Sequence, residues 1–193
     1  MTAFAYSETS LQTGVFVAVV GPSGVGKDTV LSHLRSQIGA REGFLFPKRI
    51  ITRRSDAYEE LIEIDKRDFE AEKLAGAFAL SWSAHGLDYA VPVSVHSEIA
   101  AGKIVVVNIS RAVIGQVRTA FQRSRIVLVS APLEMRAQRI ALRGRENESD
   151  IRVRLSRTVD SFAESDADLI LDNSGTPEDA ARTLLDFLVT FSP

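Results

Sequence analysis

The stretch Gly21-Pro22-Ser23-Gly24-Val25-Gly26-Lys27 fits the phosphate-loop pattern G-x-x-x-x-G-K. The next place calls for a hydroxyl to sit on Mg²⁺, and this chain has Asp28 there, followed by Thr29. Such a loop works through its main chain. Glycines let backbone N–H groups turn inward around phosphate oxygens, and a helix starting at the lysine adds favourable potential for an anion. The lysine reaches the β- and γ-phosphates as a point charge. Gly21 to Thr29 is therefore read as an ATP-binding loop, with Lys27 offsetting charge during transfer.

Asp28 is the anomaly. Phosphate-loop enzymes normally place a loop hydroxyl and a strand-end carboxylate around Mg²⁺. Here the loop carries the carboxylate, and the apolar run KIVVVNI has neutral Asn108 near its end. The expectation is that the negative charge has changed places, with Asp28 as the Mg²⁺ ligand. The plainer reading of Asp28 is a carboxylate favoured by the first turn of a helix.

A second set of chemical residues lies in LRGRENESDIRVRLSR. Arg143 and Arg145 flank Gly144 at a helix end, and Arg154 falls on the next helix. Arginines on a closing loop can neutralise charge on a transferring phosphoryl group, so these three are read as catalytic. Arg152 and Arg157 read as solvated surface charge. His33, His85 and His96 are widely spaced and show no metal-ligand pattern.

Positioning these residues takes alternating elements. Val15–Val20, Lys103–Ile109 and Arg125–Ala131 are continuous apolar runs, the mark of strands buried on both faces. Helical spacing follows in Asp28–Ile38, Arg111–Phe121, Pro132–Leu142, Ile151–Ala163 and Pro177–Val189. Lys48–Thr52, Ala77–Ser83, Leu87–Val91 and Asp168–Asn173 read as further strands, Asp65–Leu74 as a helix capped by Asp65, and Pro92–Ala101 as a helix opened by its proline. Strands alternating with helices predict an α/β fold, a parallel core sheet covered by helices.

The 193 residues bound this to a single domain over 14–193, with 1–13 as a flexible leader. A net charge of -2, from 25 acidic and 23 basic residues, argues against a dedicated nucleic-acid binder. The absence of cysteine excludes a disulfide scaffold and a thiolate metal site, and fits a cytoplasmic location. No apolar run approaches the length of a membrane span.

GPSGVGK, LSWSAHGLDYAV and RGR ahead of a helix are similar to guanylate kinases, over about Val15 to Leu188. Three places depart from that family's pattern: Lys27-Asp28 where Lys-Ser is usual, Ser81-Trp82 for Glu-Trp, and Asn108-x-Ser110 for Asp-x-Asp. With these departures the full set, GKD with ALSW-x-A-x-G-L-x-Y, VVVNISRA and RGREN, resembles the ribose 1,5-bisphosphate phosphokinases, guanylate kinase relatives in phosphonate breakdown. The resemblance implies a P-loop kinase with an acceptor-binding insert at about 48–93 and a lid at about 143–150. It also implies phosphoryl transfer from ATP, with Mg²⁺, to ribose 1,5-bisphosphate, giving 5-phosphoribosyl 1-diphosphate (PRPP).

The departures make chemical sense on that reading. A guanine site needs acceptors for its N–H groups, whereas a sugar bisphosphate would be repelled by carboxylates. Ser81 and Ser110 are neutral, and KRIITRR supplies Lys48, Arg49, Arg53 and Arg54. By the resemblance, Arg53 and Tyr89 hold the acceptor's phosphate, with Arg49, Ser81, Asn108, Ser110 and Arg111 around it. Glu59 and Glu60 stand where the family carries a Gly-Glu segment and are given no role. Trp82 reads as core packing. Partners are then small molecules, with no nucleic acid or membrane, and a homodimer is left open. Two other readings stay open: a guanylate kinase, and a non-catalytic guanylate-kinase-like binding module.

Overall fold

VFVAVV is apolar on both faces of a strand, and the fold buries both. The computed structural model describes residues 14–52, 61–84, 86–142 and 162–191. The main sheet is built from β1 (Val15–Val20), β2 (Phe44–Leu45), β7 (Ile104–Asn108), β8 (Ser124–Ser130) and β9 (Leu169–Asp172). All four pairings are parallel, in the order β2-β7-β1-β8-β9, which puts β1 at the centre. Val15, Val17 and Val19 point into one core, with Leu31 and Leu34 of α1 (Lys27–Ile38) and Leu184 and Leu188 of α6 (Pro177–Val189). Phe16, Ala18 and Val20 point into the other, with Val95 and Ile99 of α3 (Val95–Ala100) and Ile114 and Val117 of α4 (Ile114–Ala120). Burying one such side chain stabilises by about 1.5–3 kcal/mol, so the strand that carries the loop is its most firmly held support.

A second sheet stands beside this core. Its strands are β3 (Arg49–Ile51), β4 (Leu61–Glu63), β5 (Phe78–Ala84) and β6 (Leu87–Pro92), in the order β4-β3-β6-β5. It is mixed: β3 runs parallel to β4 and antiparallel to β6, and β5 runs antiparallel to β6. Ile50, Phe69 and Ala90 form its own small core under α2 (Lys66–Leu74). Asp65 caps α2 as its sequence implies, accepting from the Asp68 N–H at 2.9 Å.

Several local expectations change. Pro92 ends β6 instead of opening a helix, and α3 starts at Val95. At the last rung of β6, Pro92 has no N–H to contribute, and a strand end tolerates that. Arg111–Val113 forms a 3₁₀ turn ahead of α4. α5 covers Leu133–Leu142. The expected leader 1–13, the lid at 143–150 and most of the helix expected at Ile151–Ala163 lie outside the described residues. No helix among the described residues is long and apolar enough to cross a membrane. Trp82 packs against the main core as a half-buried side chain. His33 pairs with Glu178 at 3.3 Å, and His96 stacks on Phe121.

Candidate active site

The phosphate loop leaves the end of β1 and enters α1 at Lys27. Gly24 and Gly26 have φ of 78° and 90°, a region side chains disfavour. Space excludes a side chain as well. A Cβ at Gly24 would lie 2.6 Å from the Arg136 carbonyl oxygen, and one at Gly26 would lie 2.6 Å from Asn173 Nδ2. The helix entered from Gly26 has no side-chain cap, so no capping side chain competes with an anion for the first-turn N–H groups. Lys27 Nζ donates to the carbonyls of Gly21 at 2.8 Å and Pro22 at 3.3 Å, which curls the ammonium over the start of the loop.

Asp28 is the hub of the site. β1 and β7 are in register at Val19 and Asn108, so Asn108 ends its strand close to the loop. From there the buried Asn108 donates through Nδ2 to Asp28 Oδ1 at 2.6 Å. Arg49 of β3 reaches the same oxygen at 3.8 Å. The Arg49 guanidinium lies 5.9 Å from the Tyr89 ring centre, and Tyr89 stacks on Trp82 at 5.4 Å. A continuous line of contacts thus runs from the loop carboxylate through Arg49 into the second sheet. Ser81 lies on that sheet, half-buried on β5 opposite Ala90. Ser110 is engaged locally: its Oγ accepts from the Ala112 N–H at 3.3 Å and caps the turn that begins at Arg111.

Three residues that no sequence motif singled out hold the other side of the loop. Arg136 Nε donates to the Ser23 carbonyl at 3.1 Å. Arg139 donates to the carbonyls of Val25 at 3.3 Å and Asn173 at 3.0 Å, and Asn173 Nδ2 donates to Val25 at 2.8 Å. Asn173 is 1% exposed, and its Oδ1 is buried with no partner among the described residues. Arg136 and Arg139 are three apart on α5, the spacing that puts two side chains on one helix face. That spacing is visible in the sequence, but only the packing of α5 on Gly24 shows what the face meets. Burial, and then Arg111, hold the Arg136 guanidinium below the usual arginine value. Behind the loop, Thr29, Arg139, Asn173 and Pro177 line a cavity of about 220 Å³.

The structure thus brings the loop, Asp28, Asn108, Arg49 and Tyr89 into one contact network, with Ser81 on the same sheet. Arg53 and the arginines expected to act from the lid, Arg143, Arg145 and Arg154, lie outside the described residues, as do Glu59, Glu60 and His85. Among the described residues no group of three or more His, Cys, Asp or Glu could hold a metal by itself.

The family profile of guanylate kinase matches residues 14–190. A protein of Methylobacterium radiotolerans named ribose 1,5-bisphosphate phosphokinase PhnN is 42% identical over 172 residues, 89% of this chain and 96% of that one. One of the same name from Agrobacterium fabrum is 40% identical over 173 residues, covering 89% and 94%. The crystal structure of guanylate kinase from Anaplasma phagocytophilum shares the fold, with a TM-score of 0.67 at 16% identity over 93% of this chain and 87% of that one. A phosphate loop on a parallel α/β sheet and a match along nearly the whole chain together make this chain a member of the guanylate kinase family, among its ribose 1,5-bisphosphate phosphokinases.

Proposed function

We propose that this protein transfers the γ-phosphoryl group of ATP to the 1-phosphate of ribose 1,5-bisphosphate, giving PRPP and ADP. The observation that carries the reading is the composition of the acceptor side. Where a base-reading site would need carboxylates, this chain has Ser81 and Ser110, and the second sheet also carries the Arg49–Tyr89 contact. Neutral polar groups and cations suit a ligand made of hydroxyls and phosphates. The relatives at about 40% identity carry the same activity in their name.

The residues then take defined work. Lys27 exchanges its bonds to the Gly21 and Pro22 carbonyls for phosphate oxygens. The cavity beside Arg139 and Asn173 receives the base of the nucleotide, and Asn173 Oδ1 is an acceptor with no partner among the described residues. The acceptor oxygen is already an ionised phosphate, so no general base is required. Arg49 steers it from the second sheet, and Arg53, with the lid residues Arg143, Arg145 and Arg154, completes the site from outside the described residues. Catalysis is positioning and charge neutralisation.

Mg²⁺ fits the donors present. Asp28 and Asn108 offer hard oxygens side by side, and the absence of an all-protein cluster among the described residues suits an ion held mostly by phosphates and water. The ion would neutralise charge on the β- and γ-phosphates. Asp28, held at Oδ1 by Asn108 and Arg49, keeps Oδ2 for that role. We place the reaction in the cytoplasm, in phosphonate catabolism, with small molecules as partners.

The test is an acceptor panel with ATP and Mg²⁺, following ADP release. Turnover with ribose 1,5-bisphosphate and little with GMP is expected. Preference for GMP would make the protein a guanylate kinase, and failure to bind ATP by calorimetry would make it a binding module.

A further inference from the structure

The end of the loop where transfer happens can be read from Lys27. Its ammonium sits on the carbonyls of Gly21 and Pro22, and such a lysine serves the β- and γ-phosphates. The next carbonyl, of Ser23, accepts from Arg136 Nε at 3.1 Å. That bond occupies one nitrogen of the guanidinium and leaves its terminal nitrogens as donors. Arg136 cannot easily drift, because α5 packs so closely that its own carbonyl oxygen would meet a Cβ at Gly24 at 2.6 Å. Among the described residues no carboxylate pairs with Arg136. Burial and, among the described residues, a like charge, Arg111, both act against its charged form. Arg111 follows β7 and Arg136 follows β8, the two strands that flank β1. A half-buried arginine held against a phosphate-loop carbonyl, with no carboxylate partner among the described residues, is relieved by an anion at its terminal nitrogens.

We propose that Arg136 is a catalytic residue, gripping the γ-phosphoryl group as that group passes to the acceptor. The proposal rests on the reaction given above. In that step a 1-phosphate oxygen of the acceptor forms a bond to the γ-phosphorus. The bond from the γ-phosphorus to the bridging oxygen breaks, and its electron pair leaves with ADP. Arg136 moves no proton; its fork follows the charge on the equatorial oxygens.

The test compares ATP with ADP, without acceptor, by calorimetry on the full chain. Arg136→Met keeps an unbranched stem and removes the charge. It should weaken ATP binding about ten- to a hundred-fold and leave ADP within about threefold. Arg136→Lys should recover part of the preference for ATP and part of kcat, and it carries the test alone if Arg136→Met does not fold. Equal weakening of ATP and ADP would reduce Arg136 to a brace on the Ser23 carbonyl and overturn the proposal, as would unchanged affinity for both. A GMP-specific result in the acceptor panel would instead remove the proposed reaction while leaving the ATP-over-ADP difference in place.

Discussion

Removing the charge of Asp28 should move the metal requirement before it touches nucleotide affinity. The Asp28 side chain is 42% exposed, so water screens it strongly. A divalent ion and a carboxylate about 4 Å apart in water attract by about 2 kcal/mol, which corresponds to roughly a thirty-fold change in affinity. Asp28→Asn should therefore raise the half-activating Mg²⁺ concentration by about that factor, with turnover partly recovered at high Mg²⁺. The variant also loses a charge-assisted bond to Asn108 and the pairing with Arg49. A modest drop in melting temperature accompanies that, about 2–4 °C per kcal/mol for a chain of this size. Asp28→Ser restores the usual loop hydroxyl but leaves no carboxylate in the pair, because Asn108 is neutral. The double variant Asp28→Ser with Asn108→Asp returns one carboxylate and one donor to side chains that already touch at 2.6 Å, and should recover activity. The assay is a Mg²⁺ titration of turnover for all four proteins. Superimposable curves would refute the displaced carboxylate and leave Asp28 as a helix-start residue worth about 0.3–1 kcal/mol.

Lys27→Ala should lower turnover by at least about a hundred-fold with the fold intact by circular dichroism, since its charge acts on the transferring group. Arg53→Ala should raise the acceptor KM about ten- to a hundred-fold and that of ATP far less; equal shifts in steady-state kinetics would point to a general structural role. Asn173→Ala leaves the Val25 carbonyl without its amide donor and empties a buried site, so thermal unfolding should report a loss of about 1–3 kcal/mol, together with weaker ATP binding.

The core was legible because its strands are apolar on both faces: β1, β7 and β8 stand out as continuous runs, and each carries the sheet near its middle. β2 and β4 were not, being two and three residues long, and β2 is made by pairing with β7, far away in sequence. The glycine loop announced itself, and both Asp28 and Asn108 drew notice. Their contact spans 80 residues and depends on which strand lies beside β1. Arg136 and Arg139 look like an exposed charged helix face until α5 is laid on Gly24. Asn173 reads as the tail of a strand until its amide meets the Val25 carbonyl.

Phosphorus NMR of the reaction mixture tests the central claim most directly. With ATP, Mg²⁺ and ribose 1,5-bisphosphate, the 1-phosphate signal should be replaced by a coupled pair of diphosphate resonances as ADP accumulates, while the 5-phosphate stays a monoester. An unchanged bisphosphate spectrum, with GMP converted to its diphosphate under the same conditions, would contradict the account.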